Sequence, residues 1–202
     1  MKGLKKLETG TDLRVVSVNL QSYESDVSEL KKLLSPQELS RAASYGTEAL
    51  SRGFIMRRGL LRSLLGLQLN CDPSALTFHY GEYGKPQIAA PFFFNASSSF
   101  DEVVFAFSAE REVGIDIERI REFSFENMIT DHFTTERAEM ILNAPIDQST
   151  HAFFREWVRK EAQLKALGLG IAAEANDGDT KICTSDLQGP QGYAVAVAQV
   201  AS

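Results

Sequence analysis

Residues 113–118 read VGIDIE, and this stretch says more about the fold than any other part of the chain. Strict alternation puts its three β-branched residues on one face of a strand, and Gly114, Asp116 and Glu118 on the other. The Cα atoms of the two acids would lie about 6.6 Å apart, so both side chains can reach one hard cation. Gly114 leaves room for a ligand on that face. The stretch predicts a strand with a candidate metal site, and a solvated acidic edge strand is the alternative.

A second informative stretch, residues 153–165, reads FFREWVRKEAQLK, and its apolar spacing predicts a helix. Glu161 falls inside the apolar stripe, where a carboxylate is unfavourable unless a cation or hydrogen bonds compensate for its burial. A magnesium ion would supply that compensation. Lys165 lies one turn further along the same face, where it could pair with Glu161 or reach a phosphate. An ordinary ion pair on a helix is the alternative.

A third pattern is Gly84-Lys85-Pro86, followed by FNASSS at residues 94–99. Small hydroxyl residues at a turn expose backbone N–H groups, and a nearby lysine adds positive charge. The combination predicts a phosphate-binding turn, and a serine-rich hairpin is the alternative.

The order of the predicted elements indicates an α+β protein built from two similar lobes with a site between them. Strands are expected near residues 12–20, 76–80, 86–89, 92–97, 103–108, 113–118, 180–183 and 193–200. Helices are expected near residues 30–34, from 36 onwards, and near 48–69, 125–131, 134–142 and 148–167. The helix at 48–69 is amphipathic, with a basic edge formed by Arg52, Arg58 and Arg62.

Charge is distributed unevenly along the chain, with a net charge of +1 in residues 1–108 and −7 in residues 109–202. The acidic half suits a metal, and a polyanionic ligand suits the cations of the first half: Arg52, Arg57, Arg58, Arg62 and Lys85. Two solvated surfaces are the alternative. The total net charge of −6 argues against a nucleic-acid partner.

Several functional classes are disfavoured by what the sequence lacks. No run approaches the roughly 18 apolar residues of a membrane helix, and residues 1–10 do not resemble a signal peptide, so a cytoplasmic protein without a membrane partner is expected. Cys71 and Cys183 are far apart, which disfavours a zinc site or a disulfide framework. The motifs GxxxxGK[ST], GxGxxG, HExxH and GxSxG do not occur.

Taken in order, four fragments resemble the Sfp-type 4′-phosphopantetheinyl transferase family. They are Gly84-Lys85-Pro86, FNAS at residues 94–97, GIDIE at 114–118, and Trp157-x-x-Lys160-Glu161-Ala162-x-x-Lys165. The resemblance implies a pseudo-twofold fold, in which residues 1–108 form a basic lobe on the side of the coenzyme A 3′-phosphate. Residues 109–202 would form the acidic, metal-binding and catalytic lobe.

The same resemblance implies an activity and a set of site residues. The enzyme would move the phosphopantetheine arm of coenzyme A onto a serine of an apo acyl or peptidyl carrier protein, release 3′,5′-ADP and act as a monomer. Mg²⁺, with Mn²⁺ as an alternative, would be held by Asp116, Glu118 and Glu161. Glu161 would also be the general base, with Lys165 at the pyrophosphate and Lys160 beside the base. The residues implied to hold coenzyme A are Lys85, Pro86, Ser97 and Ser98, helped by Arg41 and Arg52.

Two departures from the family pattern leave other functions open. Ser98 stands where many relatives have histidine, and Arg137 stands where the family tends to have an acid, with Glu136 adjacent. A degenerate, non-catalytic module that binds coenzyme A or a carrier protein is one alternative. A magnesium-dependent hydrolase of pyrophosphate compounds is another, because the same carboxylates could position a water molecule.

Overall fold

The computed structural model describes residues 3–7, 12–145, 147–170 and 180–201, which form a mixed α+β protein. The strands are β1 Lys5–Leu7, β2 Leu13–Asn19, β3 His79–Tyr80, β4 Pro86–Gln87, β5 Phe93–Ser99, β6 Glu102–Ser108, β7 Val113–Arg119, β8 Ile182–Asp186 and β9 Tyr193–Val200. The α-helices are α1 Val27–Lys32, α2 Pro36–Ala43, α3 Glu48–Leu69, α4 Glu126–His132, α5 Thr135–Leu142 and α6 Ser149–Leu167. None of these helices is long and apolar enough to cross a membrane.

The described strands form three antiparallel sheets. The first has the order β1-β2-β6-β5, the second is the β3-β4 hairpin, and the third has the order β7-β9-β8. The long helix α3 packs on the first sheet, where Leu60, Leu64 and Leu65 join Val16 and Phe105 in one core cluster. Thr47 caps the start of α3 by accepting a hydrogen bond from the Leu50 backbone N–H.

A second core cluster joins the first and third sheets. The apolar face of β7, with Val113, Ile115 and Ile117, packs with Val15 of β2 and Val104 of β6. These three β7 residues are fully buried, as the alternating pattern predicted. The opposite face of β7, which carries Asp116 and Glu118, is therefore left for α6.

Gly114 has a different role from the one predicted. A Cβ atom at this position would lie 2.0 Å from the carbonyl oxygen of Ala162 and 2.3 Å from the amide nitrogen of Ala166. The space beside Gly114 is thus filled by the backbone of α6, and the expectation of room for a ligand was wrong. This close approach brings the side chains of α6 onto the polar face of β7.

Two further expectations about the first half of the chain were wrong. Residues 97–99 belong to β5 and pair with β6, and the turn comes after them at Phe100, whose φ is 54°. Arg62 is not part of a basic edge, because its side chain is 1% exposed and bonds to Glu38 at 2.8 Å. Arg62 also donates to the carbonyl oxygens of Pro73 and Leu76, both at 2.9 Å. It is therefore a structural cation inside the protein.

Candidate active site

Asp116 lies at the centre of a cluster of charged side chains between β5, β7 and α6. It is 3% exposed, and its Oδ1 accepts hydrogen bonds from Lys165 Nζ at 2.5 Å and from Ser97 Oγ at 2.6 Å. Lys165 Nζ also donates to Ser97 Oγ at 3.1 Å. Lys165 therefore pairs with Asp116, and the direct ion pair with Glu161 that was one interpretation of its position does not form.

Glu118, two residues along the same face, is held by a different hydroxyl. Its Oε2 accepts a hydrogen bond from Ser99 Oγ at 2.8 Å. Burial raises the pKa of Glu118, the Ser99 hydrogen bond lowers it, and the negative charge of Asp116 raises it further. Glu118 is therefore a half-buried carboxylate in an unfavourable electrostatic setting.

Glu161 projects from α6 towards the same cluster. Its Oε1 and the Oδ2 of Asp116 are both buried without a hydrogen-bond partner among the described residues. Burial is the largest cause that raises the pKa of Glu161, Lys165 acts to lower it, and Asp116 then acts to raise it again. Asp116 and Glu118 thus lie near enough to raise the pKa of Glu161.

This donor set has the chemistry of a site for a hard cation. Carboxylate oxygens are preferred by Mg²⁺, and the two unpartnered buried oxygens call for a compensating positive charge. Among the described residues, no group of three or more His, Cys, Asp and Glu side chains is already arranged to hold an ion, and the set of Asp116, Glu118 and Glu161 stays a prediction. The Lys165 ammonium takes one oxygen of Asp116. Asp116 and Glu161 are the residues whose free oxygens suit a metal.

Lys160, predicted to lie beside the general base, is directed to another element. Its Nζ donates to the backbone carbonyl of His132 at 2.6 Å, at the C-terminal end of α4. A cation is favourable there because the helix dipole leaves partial negative charge on the last carbonyl groups. Lys160 influences the pKa of Glu161 through its charge, and its hydrogen bond joins α4 to α6.

A basic cavity adjoins the carboxylate cluster. It has a volume of about 400 Å³ and lies between α3 and β5, and none of the described residues that line it is acidic. Its polar lining comprises Arg57, Arg58, Asn95, Ser97 and Ser98. Ser97 belongs to both places, since it lines this cavity and donates to Asp116. The cavity and the carboxylate cluster therefore meet at one side chain.

The two arginines of this cavity differ in their partners. Burial lowers the pKa of Arg57, and no carboxylate of the described residues lies within ion-pair distance of it. Arg58 Nε lies 3.4 Å from Glu38 Oε1, while its Nη1 is buried without a hydrogen-bond partner. An anion in the cavity would lie beside two arginine side chains.

The structure separates the predicted coenzyme A residues into two groups. Pro86, Ser97 and Ser98 line the basic cavity, and Ser98 is exposed on β5. Lys85 instead donates to Glu112 Oε2 at 2.6 Å and to the carbonyl oxygens of Val113 and Ala166 at 3.1 and 3.2 Å. These three acceptors saturate an ammonium group, so this arrangement does not support a phosphate contact by Lys85.

The two predicted helper arginines also lie outside the basic cavity. Arg52 pairs with Glu24 and lines a second cavity of about 510 Å³ that also contains Glu48 and Asp101. Arg41 is exposed, and its Cζ lies 5.4 Å from the centre of the Phe54 ring. Arg52 is paired with Glu24 and Arg41 lies against the Phe54 ring, and neither arginine lines the basic cavity.

Arg57 and Arg58 were among the cations that the charge distribution assigned to a polyanionic ligand, but they were not among the residues that the family resemblance implied for coenzyme A. They follow the buried Phe54 by three and four residues and precede the buried Leu61 by four and three. Positions at those spacings share a helix face, so both arginines extend from the face that packs on the sheet.

Arg137, the departure on α5, takes part in a contact between helices. Its Nη2 donates to Gln163 Oε1 at 3.2 Å, and its Nε lies 3.9 Å from Glu156 Oε2. Glu136 beside it is exposed. The arginine therefore joins α5 to α6. Its partner Gln163 lies two residues after Glu161 in the sequence.

Comparison with known proteins identifies a family. A family model described as "4'-phosphopantetheinyl transferase superfamily" matches residues 112–198, which include β7, α6 and all three carboxylates. The chain is 36% identical over 161 residues to 4′-phosphopantetheinyl transferase HetI of Nostoc sp., covering 77% of this chain and 68% of that protein.

Two more relatives carry similar names. The phosphopantetheinyl transferase of Thraustochytrium sp. is 28% identical over 189 residues, covering 83% of this chain and 66% of the relative. The 4′-phosphopantetheinyl transferase gsp of Aneurinibacillus migulanus is 36% identical over 118 residues, covering 58% and 48%. The chain thus spans between about half and about two thirds of the length of these relatives.

Proposed function

The chain belongs to the 4′-phosphopantetheinyl transferase superfamily, and on that premise we propose that it transfers the phosphopantetheine arm of coenzyme A to a carrier protein. The acceptor is a serine hydroxyl of an apo acyl or peptidyl carrier protein, and 3′,5′-ADP is released. The observation that carries the proposal is the place of Ser97, which lies in the basic cavity and also bonds to Asp116. An anion-binding cavity and a cation-binding cluster meet there, as a bound diphosphate requires.

The basic cavity is the proposed site for the nucleotide end of coenzyme A. Arg57 and Arg58, which line this cavity, would face its phosphate groups, with Ser98 as a further donor. Charge-assisted hydrogen bonds from arginine to phosphate are stronger than neutral ones. Lys85 is left out of this set because its three donors are already used.

Asp116, Glu118 and Glu161 would hold the metal, Mg²⁺ or Mn²⁺. When bound, the ion would neutralise negative charge on the diphosphate. Lys165 is the chain's own cation at this place, and its ammonium would stabilise the charge that develops on the leaving 3′,5′-ADP. Asp116 and Glu161 would contribute their unpartnered buried oxygens, and Glu118 the carboxylate oxygen that Ser99 does not bond.

Glu161 is the proposed general base. The serine oxygen of the carrier forms a bond to phosphorus, the bond from phosphorus to the oxygen of 3′,5′-ADP breaks, and the serine proton passes to the Glu161 carboxylate. Burial raises the pKa of this group towards the working pH, which favours proton transfer. Its free Oε1 is the atom that would accept the proton.

We further propose that residues 1–108 and 109–202 form two lobes related by a pseudo-twofold axis. The supporting feature is that a long helix packs on a small antiparallel sheet in each part, α3 on the first sheet and α6 on the third.

The experiment that tests the function is chromatography of the nucleotide products with and without an apo carrier protein. We expect 3′,5′-ADP to form from coenzyme A and Mg²⁺ only when the carrier is present. Nucleotide release without a carrier would indicate a pyrophosphate hydrolase. No release in either case, with coenzyme A binding retained, would indicate a non-catalytic binding module.

A further inference from the structure

We propose that Ser99 is a positioning residue that fixes the Glu118 carboxylate for cation binding. The proposal rests on the proposed function, because Glu118 matters as a metal ligand only in that context. It assigns to Ser99 a role in the reaction without any contact with substrate.

The first argument is the way the Ser99 hydroxyl is used. Ser99 is the last residue of β5 and is 7% exposed. Its Oγ donates to Glu118 Oε2 at 2.8 Å and accepts from the backbone N–H of Arg119 at 3.1 Å. One hydroxyl thus holds the side chain of Glu118 and the backbone of the next residue. Because Ser99 is buried, water is poorly placed to replace these bonds.

The second argument is that Ser99 ends a row of side chains that joins β5 to β7. These strands belong to different sheets, and side chains from alternate positions of β5 bond to β7. Asn95 Oδ1 accepts from the Ile115 N–H at 3.0 Å, and Ser97 donates to Asp116. This row fixes the position of the carboxylates relative to the basic cavity beside β5.

The third argument separates Ser99 from Ser97. Asp116 is held by Lys165 as well as by Ser97, so the loss of the Ser97 hydroxyl leaves an ion pair in place. Among the hydrogen bonds between described residues, Ser99 alone reaches the Glu118 carboxylate. Removal of the Ser99 hydroxyl would therefore free Glu118 to rotate. Partners that orient a metal-site carboxylate typically contribute about tenfold to a hundredfold to metal affinity.

The test compares Ser99→Ala with a matched control, Ser108→Ala. Ser108 is the last residue of β6 and is 1% exposed, and its hydroxyl also donates to a carboxylate, Asp12, at 2.8 Å. It accepts from the backbone N–H groups of Glu110 and Arg111 at 3.2 and 3.0 Å. Each substitution removes a buried hydroxyl that donates to one carboxylate and accepts from backbone N–H groups, near the cluster for Ser99 and at the opposite end of the β5-β6 hairpin for Ser108.

Mn²⁺ binding, measured by electron paramagnetic resonance in the presence of 3′,5′-ADP, is the first readout. The second is the Mg²⁺ concentration that gives half-maximal transfer. We expect Ser99→Ala to weaken both by about tenfold, Ser108→Ala to leave both within twofold of wild type, and Ser99→Thr, which keeps the hydroxyl, to restore most of the affinity.

Unchanged Mn²⁺ affinity in Ser99→Ala would overturn the proposal, and so would equal weakening by Ser108→Ala, because that would indicate a general loss of stability. These outcomes are distinct from a failure of the proposed function. In that case the wild-type protein itself would neither bind Mn²⁺ with 3′,5′-ADP nor modify a carrier.

Discussion

Replacement of Glu161 by glutamine should raise stability and lower activity. The Glu161 carboxylate is half-buried, its Oε1 has no hydrogen-bond partner among the described residues, and both Asp116 and Glu118 act to raise its pKa. Glutamine keeps the shape and removes the charge. Since the group is partly screened by solvent, we expect a gain of about 0.5–1 kcal/mol at neutral pH, or a rise in Tm of about 1–4 °C. Turnover should fall by about two to four orders of magnitude, as for loss of a general base.

The gain in stability should depend on pH with a defined sign. Burial raises the pKa of Glu161, so the folded protein binds this proton more tightly than the unfolded chain. Below the ordinary glutamate pKa of about 4.3, Glu161 is protonated in both states and does not destabilise the wild-type protein. As the pH rises through the raised pKa of the folded protein, the buried carboxylate becomes charged and the free energy of unfolding falls. Glutamine does not titrate. The difference in Tm between variant and wild type should be near zero at pH 4 and largest at pH 7–8.

The assay is thermal unfolding in a chelator at several pH values, together with transfer kinetics at saturating Mg²⁺. Glu139→Gln, at an exposed position of α5, is the control and should change neither quantity appreciably. A lower Tm for Glu161→Gln at pH 7.5 would show that the carboxylate takes part in a stabilising ion pair. A loss of turnover smaller than tenfold would refute its role as the base.

Three other substitutions have defined outcomes. Gly114→Ala should lower the free energy of unfolding in urea by about 3 kcal/mol or more, because its Cβ would lie 2.0 Å from the Ala162 carbonyl oxygen. A decrease below about 1 kcal/mol would argue against this close approach. Glu38→Ala should lower the free energy of unfolding by about 3–5 kcal/mol, because it leaves the buried Arg62 without its carboxylate partner. A decrease below about 1 kcal/mol would contradict the importance of this ion pair. Ser98→His should lower the KM for coenzyme A several-fold and leave that for dephospho-coenzyme A unchanged, because a charged donor binds phosphate better; an equal effect on both would show that position 98 does not contact the 3′-phosphate.

The elements with regular periodicity were predicted well from sequence. The helix expected at 148–167 is α6, Ser149–Leu167, and the strand expected at 12–20 is β2, Leu13–Asn19. The two faces of β7 were also correct, because alternation alone assigns them. The short strands after residue 76 were overestimated, and only His79–Tyr80 and Pro86–Gln87 form there before β5.

Contacts between distant parts of the chain account for most of the differences between the sequence expectations and the structure. The sequence around Lys85 resembles a phosphate site, yet the acceptors of its ammonium include Glu112 and Ala166, 27 and 81 residues further along. The space beside Gly114 is filled by a helix about fifty residues away in sequence, which alternation does not reveal. Local pattern identifies which residues share a face, whereas the element that covers that face is set by tertiary packing.

The measurement that tests the central claim most directly is the intact mass of an apo carrier protein after incubation with this protein, coenzyme A and Mg²⁺. We predict a gain equal to the mass of one phosphopantetheine arm, lost when a chelator replaces Mg²⁺ and lost with Asp116→Ala, which should remain folded. An unchanged carrier mass, although the wild-type protein binds coenzyme A, would contradict the account. So would undiminished transfer by Asp116→Ala.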